Sequence, residues 1–173
     1  EFLWYSERDG FQHLYHYNVS GELLKQVTTG KWTVLDILGF SEDGKTMTVS
    51  GTGAVPTEKH VYRVDLVKGG QTSITKTSGS HRASVSSSGN FIFTNYSSTS
   101  TPRVIEILDK KSKKVKLLHV AENPLKEYAV PTVEQFSIDA SDGTPLYCTL
   151  LKPSDFDASK KYPVLMYVYG GPR

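Results

Sequence analysis

Phe91-Ile-Phe-Thr-Asn-Tyr96 is apolar, β-prone and too short for a stable helix, and it has two counterparts upstream, Thr46-Met-Thr-Val-Ser-Gly51 and Phe2-Leu-Trp-Tyr-Ser6. The three recur about 45 residues apart, a period typical of four-stranded propeller blades. Each is followed by a loop and a second matching segment: His13-Leu-Tyr-His-Tyr17, His60-Val-Tyr-Arg-Val64 and Arg103-Val-Ile-Glu-Ile107. A third set follows at Leu23–Val27, Thr72–Thr77 and Lys114–His119. Inner strands are expected at Thr33–Phe40 and His81–Ser86, each leading into a turn, Ser41-Glu-Asp-Gly44 and Ser87-Ser-Gly-Asn90. The expected fold class is therefore mainly β, opening with about two and a half four-stranded blades, the first lacking its inner strand. Such meanders bury an apolar face only by stacking blade on blade, so further blades are expected in a longer protein.

Beyond residue 120 the pattern changes. Ala121–Pro131, bounded by Pro124 and Pro131, reads as a linker, giving expected domains at 1–120 and 133–173 with 121–132 between them. Val133–Asp139 and Pro145–Pro153 flank Ala140-Ser-Asp-Gly-Thr144, and an Asp-Gly turn between two extended runs predicts an antiparallel hairpin. Ser154–Tyr162 reads as a polar loop. Val164-Leu-Met-Tyr-Val168 is then apolar without alternation, the pattern of a central strand buried on both faces, and Tyr169-Gly-Gly-Pro172 breaks it. Two antiparallel strands followed by a buried one is how an α/β-hydrolase sheet commonly begins. In such sheets the loop after the third strand contributes donors that stabilise negative charge on the attacked carbonyl oxygen. No Gly-x-Ser-x-Gly elbow occurs in the 173 residues, so the nucleophile is expected elsewhere in a larger enzyme.

Composition narrows the functions. Twenty Lys and Arg against 18 Asp and Glu leave a formal charge of +2, which offers no electrostatic basis for binding nucleic acid or an anionic membrane. The basic run Asp109–Lys116 lies between two strand segments and reads as a solvated turn. Cys148 is the only cysteine and, set among apolar strand residues, is expected to be a packed thiol. His13 and His16 are three apart on a strand and project to opposite faces, so they do not form a metal pair. Trp4 and Trp32 are expected to fill the packing between blades. Asn18-Val-Ser20 and Asn95-Tyr-Ser97 fit a glycosylation acceptor triplet that is frequent by chance.

Several of these segments together resemble the prolyl oligopeptidase family of serine peptidases, and within it the dipeptidyl peptidase IV branch. They are Gly30-x-Trp32-x-Val34, Phe136–Tyr147, Lys152-Pro, Phe156-Asp, Lys160-Lys-Tyr-Pro163 and Val168-Tyr-Gly-Gly-Pro172. The resemblance implies an eight-bladed propeller over an α/β-hydrolase domain, and a Ser/Asp/His triad downstream of these residues. It also implies paired glutamates for the substrate amino group in earlier blades; Glu7, Glu22 and Glu42 are not those. One role carries over: Tyr169 matches the tyrosine whose hydroxyl donates to the oxyanion, with Gly170 and Gly171 letting the backbone turn beside the substrate. The implied substrates are peptides with a free N-terminus and proline or alanine second. Acylation of a serine needs no metal or organic cofactor. A homodimeric parent in the periplasm, at the cell surface or secreted is implied as well. A prolyl endopeptidase, an acylaminoacyl peptidase or a catalytically dead binding scaffold are the alternatives. The isolated chain is expected to be inactive and to self-associate through open strand edges.

Overall fold

The structure, a computed structural model, describes residues 1–170, and every regular element among them is a β-strand. By its internal contacts the chain divides into two units, Glu1–Asn123 and Pro124–Arg173.

The first unit holds three antiparallel meanders. In the first, β1 (Phe2–Ser6), β2 (His13–Tyr17) and β3 (Leu23–Gln26) pair in chain order. The second comprises β4 (Val34–Phe40), β5 (Thr46–Thr52), β6 (Lys59–Asp65) and β7 (Gln71–Ser73). In the third, β8 (Ser80–Val85), β9 (Phe91–Ser97), β10 (Val104–Asp109) and β11 (Lys114–Val120) again pair in order. A single parallel pairing, Lys59 with Ser80, joins the second meander to the third. All eleven segments read as strands from the sequence form here; two match end to end, and the others shift by at most four residues, the largest shift being at β7, which ends at Ser73 rather than at the expected Thr77.

Aspartates set several of the turns. Asp65 accepts hydrogen bonds from the backbone of Val67 (2.9 Å) and Lys68 (2.8 Å), and Asp109 does so from Lys111 (2.8 Å) and Lys113 (2.9 Å). These donors favour the ionised carboxyl and hold both aspartates below the usual carboxylate range. The basic run accordingly turns between β10 and β11, with Ser112 at a φ of 66°, while Lys114 and Lys116 lie on β11.

Facing meanders share two cores. Leu14 and Val27 of the first meander meet Trp32, Val34, Met47, Val49 and Val64. Val61 and Ile74 of the second meet Ile92 and Leu108 of the third. Fully burying an aliphatic side chain of this size contributes about 1.5–3 kcal/mol, so stacking of sheet on sheet supplies the stability that no single meander has. Trp32 is buried as expected, its Nε1 donating to the Thr29 carbonyl at 2.8 Å and its ring tilted over Tyr62 at 4.6 Å. Trp4 differs from expectation and is 60% exposed. Its cross-strand partner is Tyr15, whereas Leu14 on the opposite face of β2 enters the core, so Trp4 lies on the face away from the second meander.

The second unit contains β12 (Thr132–Asp139) and β13 (Pro145–Lys152), paired in register from Thr132/Lys152 to Asp139/Pro145. Its turn is closed by Ala140 N–H to Thr144 O (2.9 Å) and Gly143 N–H to Ala140 O (2.9 Å), with Gly143 at a φ of 81°. Cys148 is half-buried on β13, less enclosed than its apolar neighbours suggest. Val164–Val168 departs from the expected buried strand: it carries no strand assignment and its side chains lie in solvent. A strand owes its hydrogen bonds and burial to neighbours, and among the described residues β12 and β13 pair only with each other.

Candidate functional site

Tyr169 follows the apolar run directly, is 83% exposed and presents its phenol to solvent. Gly170 has a φ outside the left-handed region, and a Cβ there would meet nothing within 4 Å. Gly171 lies outside the described residues. The approach to the run is organised: Phe156 stacks on Tyr162 at 5.1 Å, Lys152 Nζ lies 5.0 Å from the Phe156 ring, and the Tyr162 hydroxyl accepts from Asp157 N–H at 3.0 Å. A neutral phenol such as Tyr169 offers one directional donor without a competing positive charge.

The first unit has a cavity of about 580 Å³ lined by Leu3, Val27, Ile37, Phe40 and Leu66, with Lys25 and His16 at its polar side. Lys25 Nζ donates to the Leu66 carbonyl, and His16 Nε2 lies 2.9 Å from the Glu1 carboxylate. These contacts assemble no nucleophile beside a base. Among the described residues, no group of three or more His, Cys, Asp and Glu could hold a metal ion. Among the described residues, no helix is long and apolar enough to cross a membrane.

A repeated polar motif was not read from the sequence. His13 Nδ1 is 3.1 Å from Thr28 Oγ1, which also accepts from Leu14 N–H at 3.0 Å. His60 Nδ1 is 3.1 Å from Thr75 Oγ1, which accepts from Val61 N–H at 3.0 Å. Both pairs are 15 residues apart. The available signal was His-Leu-Tyr and His-Val-Tyr, each followed at this spacing by Thr after an aliphatic residue. Because His13 Nε2 faces the Gly30 carbonyl at 2.9 Å, it must donate there, leaving Nδ1 to accept the Thr28 hydroxyl. His13 and His16 thus have separate partners, in keeping with their opposite faces.

Successive antiparallel meanders of three or four strands, stacked face to face and carrying a periodic sequence, define a β-propeller-type fold. The chain belongs to the family described as the dipeptidyl peptidase IV (DPP IV) N-terminal region, which matches residues 1–103. It is 32% identical to dipeptidyl peptidase 4 of Trichophyton equinum over 96% of this chain and 22% of that protein. It is 29% identical to human dipeptidyl peptidase 8 over 100% of this chain and 23% of that protein. The crystal structure of Porphyromonas gingivalis dipeptidyl peptidase 4 superposes with a TM-score of 0.82 at 30% identity, over 94% of this chain and 23% of that one. The chain thus spans less than a quarter of the length of these relatives.

Proposed function

We propose that this chain provides propeller blades and the oxyanion tyrosine of a serine-type dipeptidyl peptidase that releases X-Pro and X-Ala dipeptides from free peptide N-termini. The observation that carries the reading is the order of elements. A periodic set of meanders, read as one partial and two complete blades, leads through a hairpin into Val168-Tyr-Gly-Gly-Pro172, and the dipeptidyl peptidase 4 and 8 relatives align over 96% or more of the chain.

In the proposed reaction a serine of the full-length protein attacks the carbonyl of the second residue; its C–N bond breaks, the rest of the peptide leaves as an amine that takes up the serine's proton, and water hydrolyses the resulting acyl-enzyme to release the dipeptide. Tyr169 donates its hydroxyl hydrogen to the oxygen as negative charge develops on it. A backbone N–H beside the serine supplies the second donor. Val164–Val168 becomes the strand that carries Tyr169 to this position once paired with the rest of a hydrolase sheet, which accounts for its apolar composition. Peptides are the proposed partners and the enzyme is proposed to be a homodimer.

Hydrolysis of a Gly-Pro chromogenic amide by the full-length protein, compared with its N-acetylated form, tests the specificity. Cleavage of the free amine alone supports the dipeptidyl peptidase. Cleavage of both moves the protein to the endopeptidase side, and cleavage of neither revives a binding scaffold.

A further inference from the structure

The second and third meanders are joined at strand level by the Lys59/Ser80 pairing alone, and each of these residues is followed by a histidine that is nearly fully buried. The His60 and His81 ring centroids are 5.3 Å apart, and His81 in turn stacks on Tyr96 at 4.5 Å. Glu58 crosses the same seam: its Oε2 is 3.0 Å from His60 Nε2, and its Oε1 accepts from the Ser78 hydroxyl and from Gly79 N–H at 2.9 Å. Gly79 admits no side chain, since a Cβ there would stand 2.5 Å from the Ser97 carbonyl oxygen.

We propose that His81 and His60 form a proton-operated latch across this seam, closed while His81 is neutral and loosened when it takes up a proton. His81 Nε2 donates to the Thr77 carbonyl at 2.8 Å, while Nδ1 is buried without a hydrogen-bond partner among the described residues. A proton arriving at Nδ1 therefore finds no acceptor in hydrogen-bonding reach and sets a cation beside His60. The groups facing His81 are Glu58 from the β5–β6 connection, His60 from β6, Tyr96 from β9 and Glu106 from β10, the last held by Lys114 of β11 at 3.1 Å.

Burial is the largest influence on His81 and pushes it below the usual imidazole value; His60 acts in the same direction, while the Thr77 carbonyl, Glu106 and Glu58 oppose it. In the unfolded chain His81 thus binds its proton at higher pH than in the fold. The latch's contribution is complete above the ordinary imidazole value of 6.5 and is lost as pH falls below it. Glu58 adds to the loss only at lower pH: burial raises it, but the donors from Ser78, His60 and Gly79 prevail and hold it below the carboxylate range. This junction lies where β8 begins, at the same end of the third meander from which the chain leaves β11.

The test is hydrogen exchange of the amides of residues 78–84 in the full-length protein, corrected for the intrinsic pH dependence of exchange. Proton uptake by the opened His81 makes the seam open up to about fivefold more often at pH 5.5 than at pH 6.5, with little change between pH 7 and 8. In His81→Gln the opening becomes independent of pH over this range. An equal pH response in His81→Gln and the unsubstituted protein overturns the proposal. Should that variant fail to fold, the ring signal of His81 in the unsubstituted protein decides. Titration below the free-imidazole value, moving upward in His60→Gln, supports the latch, and titration at or above that value overturns it.

Discussion

Gly51 lies directly beneath the indole of Trp32: a Cβ built on Gly51 would stand 2.5 Å from Cζ3 of Trp32 and 2.8 Å from the Thr33 carbonyl oxygen. Neither neighbour can yield, because the indole is pinned by its bond to Thr29 and the carbonyl accepts from Thr52 N–H at 2.9 Å. Gly51→Ala is therefore expected to overpack the first core and to destabilise the protein by about 1–3 kcal/mol. A urea titration followed by tryptophan fluorescence checks this, and an unchanged midpoint would show that the indole relocates freely.

Thr28 and Thr75 occupy the same place in successive meanders, each satisfying a histidine ring nitrogen and a backbone N–H at once. Thr28→Val and Thr75→Val keep the shape of the side chain and remove both interactions. Each is expected to cost about 1–3 kcal/mol, since buried polar groups lose their partners, while Thr→Ser retains most of the stability. Denaturant midpoints of the four variants measure the difference. If the valine variants match the serine ones, the hydroxyl contributes nothing beyond volume.

Tyr169→Phe in the full-length protein removes one proposed oxyanion donor and nothing else. Loss of about 3 kcal/mol of transition-state stabilisation lowers kcat roughly a hundred- to thousandfold, with KM little altered. Steady-state kinetics on a free-amine dipeptide amide measure it. A fall of less than threefold would remove Tyr169 from the oxyanion site.

Leu165 is 95% exposed in the middle of an apolar run that carries no strand assignment. The isolated 173-residue chain is expected to self-associate through this segment, and Leu165→Lys to shift the population toward monomer, as gatekeeper charges do in exposed β-prone runs. Light scattering across a concentration series reads the change. A sharply monomeric unsubstituted chain would show that the run has no such tendency.

The sequence by itself determined the strands of the first unit, because alternating apolar residues, β-branched segments and Gly/Asp turns are local signals repeated at one period. It determined the turn within Asp109–Lys116 for the same reason. Tertiary structure decided what depends on neighbours. Trp4 shares the chemistry of Trp32 but lies on the sheet face away from the core, so it stays exposed. Val164–Val168 has a buried strand's composition, yet the pairing that makes a strand must come from another segment. Glu58, His60 and His81 look unremarkable in the chain; only the Lys59/Ser80 crossing brings them together, across a sequence separation that no local pattern encodes. The role proposed for Tyr169 is legible solely through the residues around it, since an oxyanion donor is defined by where a substrate's carbonyl would lie.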